Sequence, residues 1–171
     1  MEGLKSLLKR RGIKMEKSKK ELTITRVFDA PRDLVYKAWT DPKMVEKWWG
    51  PNGVFIPVCE VDAKPGGRIY IVMEAGEELG KLKGTQWPME GEFVELDEPK
   101  KIVFNANAIN EGKVILEHQT TVTFHEENGK TIMKVHVVVT KVLPGSEFAI
   151  AGMEGGWNQQ FDKLVEFIKK G

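Results

Sequence analysis

Only one cysteine, Cys59, occurs in the 171 residues, which excludes an internal disulfide and a zinc cage built from cysteines. No stretch approaches the roughly 18 consecutive apolar residues that a membrane span requires, and residues 1–20 have no signal-peptide-like apolar run. The expected location is therefore cytoplasmic. The three histidines show no helix-based ligand spacing such as H-E-x-x-H, so a metal site would have to be assembled from separate strands; no metal and no cofactor is expected. The glycine-rich "GMEGGW" (Gly152–Trp157) neither follows a strand nor carries the G-x-x-x-x-G-K-[ST] spacing of a phosphate loop. A basic patch with interleaved aromatics is also missing, which sets nucleic acid aside as a partner.

What is present is the balance of a globular protein: 41% hydrophobic and 30% charged residues, too apolar for intrinsic disorder. A domain of about 150 residues buries roughly 70% of its unfolded surface, enough for a core that contains a cavity. Charge is distributed unevenly. Residues 1–20 hold eight lysines and arginines against two glutamates, a local balance of +6, leaving −5 on the rest of a chain whose net charge is +1. This reads as a solvated basic N-terminal extension, residues 1–20, with one or two helical turns through Leu4, Leu7 and Leu8, ahead of one domain over residues 21–171.

Glu21–Phe28 is rich in β-branched residues and reads as a strand. Pro31 suits a first helical position, with Asp33 in the first turn and Leu34, Val35 and Ala38 on one face. Asp41 is placed to cap a second helix beginning at Pro42, which Gly50-Pro51 ends. Along that helix Met44, Val45, Trp48 and Trp49 share a side. Strands follow at Val54–Ala63, Arg68–Glu74, Met89–Leu96, Lys101–Ile109, Ile115–His125 and Lys130–Lys141, without intervening helices, which favours an antiparallel meander. Asn128-Gly129 is the strongest hairpin signal. Ser146–Lys170 carries the long helical period, Ile150, Met153, Trp157, Phe161, Leu164 and Ile168. Gly155 and Gly156 interrupt it at about 1 kcal/mol each, which implies close approach to the sheet or a bend.

The segments "VFDAPRDLVYKAWTDPKMVEKWWGP", "KPGGRIYIVM", "MEGEFVELDEPKKIVF" and "GMEGGWNQQFDKLVEFI" together resemble the family of homologues of the activator of the Hsp90 ATPase, within the START-like (SRPBCC) superfamily of the birch-pollen allergen. The resemblance covers about residues 22–170. It implies an α+β helix-grip fold: a curved seven-stranded antiparallel sheet wrapped around the C-terminal helix, two short helices between strands 1 and 2, and a cavity between sheet and helix. It carries no catalytic residues, because this scaffold hosts carriers, receptors, cyclases and chaperone regulators alike.

Alternation places Met133, Val135, Val137 and Val139 inward, and with them Leu116, His118, Thr120, Val122 and Phe124 of the preceding strand. His118 then reads as a core histidine satisfied by a neighbour, or as a general base or orienting group for a ligand. Cys59 alternates with Phe55, Pro57 and Val61 on the apolar face, where burial suppresses its thiolate. Glu90, Glu92 and Glu95 are candidates for a carboxylate at a cavity rim. Asn105 and Asn107 are candidates either for ligand contact or for solvent. The expected ligand site is mainly apolar and aromatic: Trp48, Trp49, Ile69, Ile71, Met73, Phe104, Leu116, Val122, Met153, Trp157 and Phe161, with His118 and Thr120 as its polar groups. The tryptophan pair is expected to pack structurally while bordering that site. The function expected is non-enzymatic binding of a small hydrophobic or amphipathic ligand. The alternatives are a chaperone-associated regulator and a cyclase- or hydrolase-like enzyme using His118 as base.

Overall fold

The computed structural model describes residues 20–170, so the basic extension and the helical turns expected in it lie outside the described residues. The chain order is β1 (Glu21–Phe28), α1 (Arg32–Thr40), α2 (Pro42–Trp48), β2 (Val54–Val61), β3 (Arg68–Ala75), a short 3-10 helix (Glu77–Leu82), β4 (Gln86–Asp97), β5 (Lys101–Asn110), β6 (Lys113–Glu127), β7 (Lys130–Val142) and α3 (Glu147–Lys169). The seven strands form one antiparallel sheet in the order β1-β7-β6-β5-β4-β3-β2. Strands β2 to β7 are thus a simple meander, and β1 closes one edge by pairing with β7. The α+β helix-grip architecture follows, with α1 and α2 between the first two strands.

Local signals act where the sequence puts them. Asn128 and Gly129 both take positive φ, 56° and 78°, the backbone a two-residue hairpin needs to match strand twist. They align β6 with β7 so that Val122 faces Val135, Thr120 faces Val137 and His118 faces Val139. Those residues are all buried. The Asp41 carboxylate accepts from the Lys43 N–H at 2.9 Å and caps α2. Helix α1 begins at Arg32, with Pro31 as its N-cap rather than its first helical residue. The segment between β3 and β4 holds the 3-10 helix, and β4 begins at Gln86, earlier than Met89. At Gly91 a Cβ would collide with the Asn105 carbonyl oxygen of β5, so glycine is what lets the two strands pack at that point.

One alternation fails. A register shift between Phe55 and Val58 interrupts β2, and the two halves of the strand show opposite faces. Cys59 and Val61 pack against the core, whereas Phe55 is 51% exposed and Pro57 also faces solvent. The apolar face Phe55-Pro57-Cys59-Val61 read from strict period two is therefore corrected to its second half.

Trp39, Trp48 and Phe161 form the centre of the core. Trp48 is fully buried, donates its indole N–H to the Ala38 carbonyl at 3.0 Å, and stands edge-on to Trp39 with ring centroids 4.9 Å apart. Trp39 donates to the Met133 sulfur at 3.3 Å. Edge-to-face pairs of this kind each add about 0.5–1.5 kcal/mol to the burial of the rings. Arg26 ties β1 to α3 through Asp162 at 2.7 Å and the Asn158 side chain at 2.9 Å. By backbone proximity α3 lies closest to α2 and β1. Its C-terminal half is anchored by Phe161, Leu164 and Ile168, all buried, while its N-terminal half stands off from the middle strands.

Candidate functional site

The space under the N-terminal half of α3 is a cavity of about 330 Å³. The helix contributes Met153, Trp157 and Gln160; the sheet contributes Met73, Met89, Leu116 and His118; and the segment after α2 closes one end with Trp49, Gly50 and Pro51. Trp87 and Phe148 are also part of the wall, and Phe148 is 53% exposed. No Asp, Glu, Lys or Arg lines the space. Its size and apolar walls with few polar groups match the usual character of small-molecule pockets.

The glycines of α3 do not press against the sheet. A Cβ built on Gly152, Gly155 or Gly156 meets no atom within 4 Å, so these residues do not admit a close backbone approach, and α3 runs unbroken through them. Gly152 and Gly156 line the cavity instead. Their missing side chains are cavity volume. Phe148, Gly152, Gly156 and Gln160 recur every four residues on one helix face, and all four border the space.

The end wall is held by α3. The Gly50 N–H donates to Gln160 Oε1 at 2.7 Å and the Asn52 N–H to Gln159 Oε1 at 2.9 Å. Lys163 Nζ donates to the Trp49 and Pro51 carbonyls at 3.2 and 3.3 Å, and burial lowers its pKa. Gly50 takes φ 87°, a conformation natural to glycine. Trp49 then stands edge-on to Trp157 with centroids 6.0 Å apart.

His118 is 7% exposed and its Nδ1 lies 3.1 Å from Thr120 Oγ1. Phe104 and Trp157 flank the ring edge-on. Desolvation in this apolar surround lowers its pKa to about 4, so the imidazole is neutral at physiological pH.

Of the residues expected at the site, Trp49, Met73, Leu116, His118, Met153 and Trp157 converge on the cavity. Trp48, Val122 and Phe161 are packed solid in the core. Thr120 is buried beneath His118 and reaches the cavity only through it. Ile69, Ile71 and Phe104 border a separate void of about 20 Å³, room for no more than a water molecule. Glu90 pairs with Arg68, Glu95 with Lys101, and Glu92 is exposed; none borders the cavity. Asn105 lies on the outer face and accepts from Gln119 at 2.9 Å. Cys59 is half-buried, and desolvation, with Glu46 nearby, pushes its thiol up to about 11, well away from nucleophilic use.

Sequence reasoning missed Ile109 and Ile115 because register shifts at Ala108/Ile109 and Glu117/His118 let adjacent residues of β5 and β6 both reach the space. It also missed Gln160, for which the four-residue spacing with Gly152 and Gly156 was the available signal. Among the described residues there is no grouping of three or more His, Cys, Asp or Glu able to hold a metal, and no helix long and apolar enough to cross a membrane.

The sequence profile of the Activator of Hsp90 ATPase homolog 1-like proteins matches residues 29–169. The chain belongs to that family. Solved structures similar to this family member include a protein from Arthrobacter aurescens, 20% identical with a TM-score of 0.75 over 94% of this chain and 92% of that one. A protein from Nitrosomonas europaea is 23% identical with a TM-score of 0.72, covering 91% and 97% of the two chains. The AHSA1 protein of Silicibacter pomeroyi is 21% identical with a TM-score of 0.68, covering 86% and 96%. At these identities the likeness extends to the fold. No curated protein matches this family member in sequence.

Proposed function

We propose that this protein binds a small hydrophobic or amphipathic molecule, without transforming it, in the cavity between α3 and the sheet. The observation that carries the reading is the space of about 330 Å³ with apolar walls and no ionic group, bordered by two helix glycines whose Cβ positions would meet only open space. Proteins pack their interiors at near-crystalline density and leave few voids larger than a water molecule. An opening of this size, retained at a helix-propensity cost of about 1 kcal/mol per glycine, is best explained by an occupant.

His118 supports binding over catalysis. With a pKa of about 4 it is a weak proton acceptor at neutral pH, whereas a general base works best with a pKa near the operating pH. No carboxylate lines the cavity to raise it.

Native mass spectrometry of gently purified protein, followed by a thermal-shift screen of lipids and aromatic metabolites, tests the reading. A bound compound of defined mass, or a raised melting temperature with a subset of the screen, is expected. A protein uniformly empty and unresponsive across the screen would overturn it.

A further inference from the structure

His118, Gln160 and Trp49 are the buried side chains with nitrogen or oxygen hydrogen-bonding groups that line the cavity; the Trp49 indole N–H has no partner among the described residues, and the contacts around His118 and Gln160 leave each with a donor to spare. Gln160 is 4% exposed, and its Oε1 is committed to the Gly50 N–H at 2.7 Å. That bond fixes the amide orientation, because a backbone N–H can be accepted only by the oxygen. The NH2 group of Gln160 has no partner among the described residues.

The His118 ring meets Thr120, whose hydroxyl has the imidazole as its side-chain partner. If Nδ1 carried the proton, both the Thr120 hydroxyl hydrogen and the His118 Nε2 lone pair would be left unsatisfied. If the hydroxyl donates to Nδ1, a single N–H at Nε2 is left over. Leaving a buried polar group unpaired costs about 1–3 kcal/mol, so the second arrangement prevails. The ring then carries its proton at Nε2.

The geometry points to a ligand that is uncharged and presents a carbonyl oxygen, of the ketone or ester class, on an aromatic or alicyclic body. This rests on the cavity being a binding site. The spare side-chain groups of the lining are all donors, and a carbonyl, with two acceptor lone pairs and no hydrogen of its own, suits such a lining. An alcohol would bring a hydroxyl hydrogen without a matching acceptor among these side-chain nitrogens and oxygens. A carboxylate would shed its hydration in a space whose lining holds no cation, a transfer that is strongly unfavourable without a paired charge. The apolar body is accommodated by Trp49, Met153 and Trp157.

Four probes of nearly one shape test this by titration calorimetry at neutral pH: methyl naphthyl ketone, the corresponding secondary alcohol, ethylnaphthalene and naphthoate. The ketone is expected to bind about tenfold or more tightly than ethylnaphthalene, the change that one or two net hydrogen bonds produce, although the hydrocarbon is the more hydrophobic. The carbonyl stretch of the bound ketone should lie below its frequency in alkane solvent. His118→Phe and, separately, Gln160→Met should each shrink the ketone-to-hydrocarbon ratio several-fold; the ratio and not either affinity is the readout, because Gln160→Met also frees the Gly50 N–H. Equal binding of ketone and hydrocarbon, or preference for the alcohol or naphthoate, overturns the assignment and leaves the cavity a binding site. Failure of all four probes to bind overturns the assignment, and overturns the binding reading as well where the protein is also empty and unresponsive across the wider screen.

Discussion

Acidification should destabilise this protein through His118 by an amount the structure allows to be worked out. In the unfolded chain the imidazole titrates near 6.5; in the folded protein desolvation lowers it to about 4. The unfolded state therefore takes up the proton first as pH falls. Stability from this group is complete above pH ~6.5 and is lost progressively as pH falls from 6.5 toward 4. The full gap amounts to about 3 kcal/mol at ~1.4 kcal/mol per pH unit, of which about 2 kcal/mol is gone by pH 5. The test is urea unfolding at pH 7.5 and pH 5 for the wild type and for His118→Gln, which keeps a hydrogen-bonding group near Thr120 and cannot titrate in this range. Carboxylates contribute equally to both proteins, so the difference between their pH dependences isolates the imidazole. The wild type should lose about 2 kcal/mol more than the variant over that interval. Parallel losses would refute the argument, meaning that His118 is hydrated or charge-paired in the folded state.

Trp48→Ala should cost about 3–5 kcal/mol in denaturant unfolding, because the ring is fully buried and hydrogen-bonded to Ala38; Trp157→Ala, at the wall of an existing space, should cost clearly less. Gly156→Leu should raise stability by about 1 kcal/mol or more through helix propensity and burial, and should abolish binding of methyl naphthyl ketone by filling the cavity; unchanged calorimetric binding would disprove that location. Cys59, with a thiol pKa of about 11 against an ordinary 9.0, should react with iodoacetamide at pH 7.5 about 100-fold more slowly than free cysteine, and denaturation should restore the ordinary rate.

The sequence by itself determined the order of elements, the hairpin at Asn128-Gly129 and the inward face of β6 and β7, because period-two alternation, helical period and turn chemistry are local properties of the chain. It also determined that the interior would be aromatic and apolar and would contain His118. What it left undecided is which inward residues touch one another and which border empty space. Val122 and Leu116 are both inward on the same strand, yet Val122 is packed solid and Leu116 faces the cavity. The difference lies in how far α3 stands from each part of the sheet. That distance depends on Phe161 and Leu164 seating the helix at one end, and on the Gln159, Gln160 and Lys163 contacts clasping the segment after α2. Register shifts in β2, β5 and β6 likewise depend on how strands fit their neighbours. Alternation fixes the direction of a side chain; only the assembled layers fix what lies in front of it.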